Sequence, residues 1–205
     1  MAQVASNVRV GYEGDLCVAP VGTTLPVSAV EPLASGFVEL GYVTSDGVTL
    51  SHDDQSTDLI AWQRGDIVRT LMTEQKLTLQ ASVMETNDKT VETYFGSYLE
   101  VTASGPVLAE RAFQPTQVIL ALTVIDGDSV HRMVIPSAEL TERGDLVYVT
   151  DDSVNYDMTF TIYPDASQVK VYHYWSAALP VATPPVAPPP PPIREALSAK
   201  PKELK

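Results

Sequence analysis

Three histidines, one cysteine and two tryptophans are the side chains of this 205-residue sequence whose spacing says most about possible chemistry. His52, His131 and His173 each stand alone: none has a second histidine three or four positions away, the spacing that sets two imidazoles on one helix face for a metal ion. His52-Asp53-Asp54 reads as a solvated turn within a stretch rich in Ser, Thr and Asp. Asp126-Gly-Asp128 opens like a calcium loop, but Ser137 occupies the position where the bidentate glutamate belongs. The pair Asp151-Asp152 would point to opposite faces of a strand. There is no nucleophile elbow, glycine-rich phosphate loop or dinucleotide fingerprint. The motifs therefore give no catalytic residue, no metal ligand set and no cofactor site. A hydrolase would have to assemble its carboxylate pair by folding alone. Cys17, between Leu16 and Val18, reads as a small buried apolar residue with no internal disulfide partner, which fits synthesis in a reducing cytoplasm. Trp62 and Trp175 read as core or interface residues, or as stacking platforms for a sugar in a soluble, monomeric β-sandwich binding module.

The elements that would have to position such residues are almost all strands. Leu77, Leu79, Ala81 and Val83 alternate with Lys76, Thr78, Gln80 and Ser82, and Tyr156, Met158, Phe160 and Ile162 alternate with Asp157, Thr159 and Thr161. A period of two buries one face of each strand and wets the other. Residues 118–125 are apolar on both faces apart from Thr123, so that strand should be covered on both sides. Shorter strands are expected over 8–12, 16–19, 37–43, 130–135, 146–150 and 169–175, with hairpin turns at Asp126-Gly127 and Arg143-Gly144. One helix is expected over 88–95: Asn87 or Asp88 caps it, Glu92 suits the positive end of its dipole, Val91, Tyr94, Phe95 and Tyr98 share a face, and Gly96 stops it. The fold class is mostly β, a β-sandwich or curled barrel of antiparallel strands with one flanking helix.

Composition bounds the rest. Hydrophobic residues make up 44% and charged residues 19%, which suits one folded domain. With 26 acidic against 13 basic residues, the formal charge is −13, a balance that repels a phosphate backbone and excludes an affinity-driven nucleic-acid binder. Residues 1–179 hold 24 acidic and nine basic residues, a formal −15, whereas 180–205 hold two and four. Nine of the sixteen prolines lie beyond Leu179, so 180–205 is expected to be an extended polyproline-type tail on a 1–179 domain. No basic-then-apolar leader and no apolar run of about 20 residues is seen, so a soluble protein without a membrane span is expected.

One segment breaks the pattern. Between Ser45 and Met72, strand-like alternation coexists with many charges and turn residues, and Leu59, Ile60 and Trp62 come just before Gly65-Asp66. Such residues on a long loop or hairpin would be sticky unless the loop folded back or a partner covered them.

The order of several stretches resembles the major tail proteins, or tail tube proteins, of long non-contractile-tailed phages, particularly those infecting actinobacteria. They are Val18-Ala-Pro-Val-Gly-Thr-Thr-Leu-Pro26, Gly36-Phe-Val-Glu-Leu-Gly-Tyr-Val-Thr-Ser-Asp-Gly-Val48, Ile60-Ala-Trp-Gln63, Glu85-Thr-Asn87, Val134-Ile-Pro-Ser-Ala138 and a late Pro-Asp pair ending at Asp165. They cover most of residues 1–175 and omit the proline-rich tail. The resemblance implies a β-sandwich with a flanking helix that joins as rings, usually of six, stacked into a hollow tube. The tube would surround a tape measure protein, end at tail terminator and baseplate proteins, and later pass double-stranded DNA without specific binding. It also implies a virion protein made in the host cytoplasm. On that reading Leu59, Ile60 and Trp62 anchor contacts between rings or subunits, with Asp58, Arg64, Asp66 and Arg69 as rim charges. Thr78, Gln80, Ser82, Asp157, Thr159 and Thr161 are the candidates to face the lumen.

Overall fold

The computed structural model describes residues 8–176; the proline-rich tail expected over 180–205, and hence its boundary at 179, lie outside the described residues. The expected class holds: the described residues form ten strands and one helix, with antiparallel pairing throughout. The strands are β1 (Glu13–Pro20), β2 (Val38–Glu39), β3 (Val43–Ile60), β4 (Ile67–Val83), β5 (Leu99–Thr102), β6 (Gly105–Leu108), β7 (Gln117–Asp126), β8 (Ser129–Arg143), β9 (Tyr156–Ile162) and β10 (Tyr172–Trp175). The main sheet runs β2-β1-β7-β8-β9-β4-β3, with β10 added beside the first half of β8; β5 and β6 form a separate hairpin. The sheet bends around one core without closing into a barrel.

The alternation along β4 and β9 sets that core. Leu79, Val83, Met158 and Phe160 are buried, and they meet Leu16, Val18, Leu120, Leu122 and Ile135 from β1, β7 and β8. As expected, β7 is covered on both faces, since Ile119, Leu120, Ala121 and Leu122 are all buried. Its second face lies under the loop between β1 and β2. Arg132, itself buried, clamps that loop: its Nε donates to Thr123 Oγ1 at 3.1 Å and its Nη1 donates to the carbonyls of Ser28 and Glu31. A buried cation needs its donors satisfied, and here carbonyl dipoles do it.

The helix α1 (Asp88–Phe95) forms where expected. Asn87 is the cap: its Oδ1 accepts from Thr90 N at 2.8 Å while its Nδ2 donates to Leu40 O at 2.9 Å. Gly96 ends the helix at φ 63°, a left-handed conformation that suits glycine, and an added Cβ there would lie 2.9 Å from the Phe113 ring. Of the expected face, Tyr94 is buried and Val91 and Phe95 pack half-buried against the core, whereas Tyr98, past the Gly96 stop, is exposed; Thr90 joins the inner face, its Oγ1 donating to Leu40 O at 2.6 Å. Glu92 serves the far end instead, accepting from Leu99 N at 3.1 Å.

Other boundaries also shift. Residues 8–12 are exposed and irregular, and of 37–43 Val38 and Glu39 pair with β1, and Leu40 N donates to Leu16 O at 2.9 Å, before the chain turns into β3. That turn uses Gly41 at φ 94°, packed so closely on Glu85 that a Cβ would lie 2.3 Å from its Oε2. Asp126-Gly127 does form the β7–β8 hairpin, with Asp126 opposite Ser129. Arg143-Gly144 does not turn a hairpin and 146–150 is not a strand; an irregular stretch links β8 to β9. Tyr94 Oη donates to Gly144 O, Gly144 N donates to Asp157 O at 2.9 Å, and the Arg143 side chain donates to Tyr94 O at 3.3 Å, so the backbone at Gly144 is tied to the helix and to β9 instead of closing a tight turn.

Candidate functional site

Two surfaces carry the residues singled out above. The first is the β3–β4 hairpin. Pairing of β4 with β9 stops at Leu77–Ile162, yet β3 and β4 continue together from His52–Leu77 to Ile60–Ile67. Among the described residues the outer ribbon therefore has no third strand, and it extends about 30 Å beyond the sheet at roughly 3.3 Å per residue. Two-stranded ribbons are marginal in water unless something packs on them. Bulges between Gln55 and Ser56 and between Leu59 and Ile60 add twist. Ala61 N donates to Asp66 O at 2.8 Å to close the tip, and Arg64 and Gly65 both take the left-handed conformation, at φ 65° and 72°.

The seven residues expected at a contact all fall at this tip. Trp62 is 96% exposed at the apex, Ile60 lies opposite Ile67, Leu59 lies opposite Arg69, and Asp58 lies opposite Thr70, whose hydroxyl donates to Asp58 Oδ1 at 2.6 Å. Ile67, Val68 and Met72, which are not among those seven, are also exposed there. The signal for them was available: two apolar doublets, Ile67-Val68 and Leu71-Met72, in a stretch otherwise polar.

The second surface is the outer face of β4 and β9. Register places Thr78 opposite Thr161, Gln80 opposite Thr159 and Ser82 opposite Asp157, so all six candidates share one face in three cross-strand pairs. Ser82 Oγ donates to Asp157, and Thr141 of β8 extends the polar band through its hydroxyl contact with Thr161 Oγ1 at 2.9 Å. Glu139 and Glu142 of β8 lie opposite Thr161 and Thr159, so the charges on this part of the face are acidic. Lys76 sits at its margin opposite Asp53.

Sequence spacing could not reveal one further juxtaposition. β8 and β10 bring His131 Nε2 to 3.1 Å from His173 Nδ1, and Trp175 lies parallel to His131 with ring centroids 4.8 Å apart. Burial lowers both histidines from their ordinary value, and each one's charge would disfavour the other's. Among the described residues no group of three or more His, Cys, Asp or Glu side chains could hold a metal ion, and no helix is long and apolar enough to cross a membrane.

A family model described as phage tail tube protein matches residues 1–187. No curated protein matches the chain.

Proposed function

Since the chain belongs to the phage tail tube protein family, we propose that its copies close into rings of six that stack into the hollow tube of a long non-contractile tail, in a phage of actinobacteria. The projecting, apolar-tipped hairpin is the observation that carries this reading. A protein that left Leu59, Ile60, Trp62 and Ile67 in water on an unsupported ribbon would aggregate, whereas one that buries them in an identical neighbour gains stability and order from the same residues. Leu59, Ile60 and Trp62 act as anchors between rings, and Asp58, Arg64, Asp66 and Arg69 set register at the rim.

The polar face of β4 and β9 supplies the lumen on this reading. A conduit for double-stranded DNA must not hold it, and each lysine would add a phosphate contact. Thr78, Gln80, Ser82, Asp157, Thr159 and Thr161 offer hydroxyls, an amide and a carboxylate instead. Six copies of residues 1–179, each at a formal −15, place 6 × −15, or −90, in one ring. The tape measure protein occupies the lumen during assembly, tail terminator and baseplate proteins close the two ends, and DNA passes through at ejection.

Negative-stain electron microscopy of the concentrated full chain, with light scattering on the same sample, tests this. Uniform hollow rings or tubes are expected. A 22.2 kDa monomer at every concentration, unchanged by a tape measure protein, would sink the reading.

A further inference from the structure

If the hairpin is a knob, the chain should carry its socket. The two edges of the main sheet approach each other without pairing. Among the described residues β1 meets β2 only through Leu16, Cys17 and Val18, and β3 pairs with β4 alone, so Glu13–Asp15 and Thr44–Val48 present free backbone edges across a seam. The seam encloses about 580 Å³ over a floor that includes Leu16, Leu122 and Met133. Cavities of about 300–1,000 Å³ accept a body the size of a few large side chains. Thr44 Oγ1, on the seam wall, is the buried side-chain oxygen left without a partner among the described residues.

The seam's rim carries Glu13, Asp15, Glu39 and Asp46. Among the described residues the one ion pair is Arg143 with Glu110, at 3.7 Å, so these four carboxylates have no cation and the tip's Arg64 and Arg69 have no anion. The tip, with two arginines against Asp58 and Asp66, sums to zero in a chain of −13 and is the segment least repelled by the seam. A molecule cannot fill its own seam. Asp46 lines the wall and Ile60 ends the same strand, a separation of about 45 Å at roughly 3.3 Å per residue.

We propose that the tip of the β3–β4 hairpin of one copy docks in the β1–β3 seam of a second copy, with Ile60 and Trp62 on the apolar floor and Arg64 and Arg69 against the carboxylate rim. This rests on the reading of the hairpin as the inter-ring contact. It joins two different surfaces, so it does not close on itself as a two-fold contact does; it propagates, as a stack of rings requires.

Charge reversal tests both levels in the full chain. Arg64→Glu with Arg69→Glu, and separately Glu13→Lys with Asp46→Lys, are expected to raise the concentration needed for polymerisation at least about tenfold, and all four together to restore it to within about threefold. A tip reversal without effect sinks the hairpin reading and the inference with it. A tip reversal that blocks polymerisation while the rim reversal is inert, or a combination that fails to recover, sinks the seam alone. Should the rim variant lose its monomer melting transition, Ser45→Cys with Gln63→Cys replaces it, and oxidation of assembled polymers should give a ladder of linked chains. Cys17 stays out of that reaction because burial holds its thiol up at about 11. Polymers that form without a ladder overturn the assignment.

Discussion

The inner and outer halves of the β3–β4 ribbon are one hairpin obeying two sets of demands. Inside, from Val48–Ala81 to Ser51–Thr78, Leu50 packs against the core beside the buried Leu79, and polar residues fill the other face. Outside, from His52–Leu77 to Ile60–Ile67, nearly every residue is exposed, and the apolar ones gather at the tip instead of on one face. The contrast separates two uses of apolar residues. Those that repeat every second position fold this chain, and those that cluster at an end without a face to bury them are the ones the proposed function assigns to a neighbouring copy.

The largest effect should come from the inner region. Phe160→Ala removes the fully buried centre of the core, and a monomer destabilisation of about 3–5 kcal/mol is expected from urea unfolding. A loss under about 1 kcal/mol would mean that the core does not depend on it. Trp62→Ala should do the reverse. Monomer stability should stay within about 0.5 kcal/mol, while polymerisation weakens by about 2 kcal/mol, close to thirtyfold in the concentration required. A Trp62→Ala monomer that melts well below the native one would break the distinction between the halves.

Asn87→Ala should fall below both, costing about 1–2 kcal/mol in the melting of the monomer, because it removes the helix cap and the tie to Leu40 together. Assembly measured relative to folded monomer should be untouched. The smallest effect is expected from pH. His131 and His173 have folded values below 6.5, so the unfolded chain binds more protons in that range, and their contribution is lost as pH falls below about 6.5. His173→Gln should flatten this slope in a melting series from pH 7.5 to 5.5, without altering the hairpin's part in assembly.

What could be read from the residues followed from how local each signal is. The alternation in β4 and β9, the two-sided burial of β7, the Asn87 cap and the Gly96 stop are written within a few positions, and the structure has them. So is the cluster at Leu59–Trp62. Its placement on a ribbon past the last β9 pair was not written locally, because a strand's sequence does not state where its neighbour ends. The same limit explains Arg132, whose loop carbonyls lie about a hundred residues earlier, and His131 with His173, joined only by β8–β10 register. The strand expected at 146–150 has the residue types of a strand, Val147, Tyr148 and Val149, but nothing in it reveals that Gly144, just before it, is tied to Tyr94 and Asp157.

The ribbon's lack of a third strand also has a mechanical meaning. Beyond Leu77 it is a cantilever: two strands clamped at one end, with no sheet behind them among the described residues to stiffen against bending or twisting. In a stack joined through such arms, a sideways load would flex the joints and leave each ring's core undistorted, so the filament could curve like a jointed hose while its bore kept its diameter.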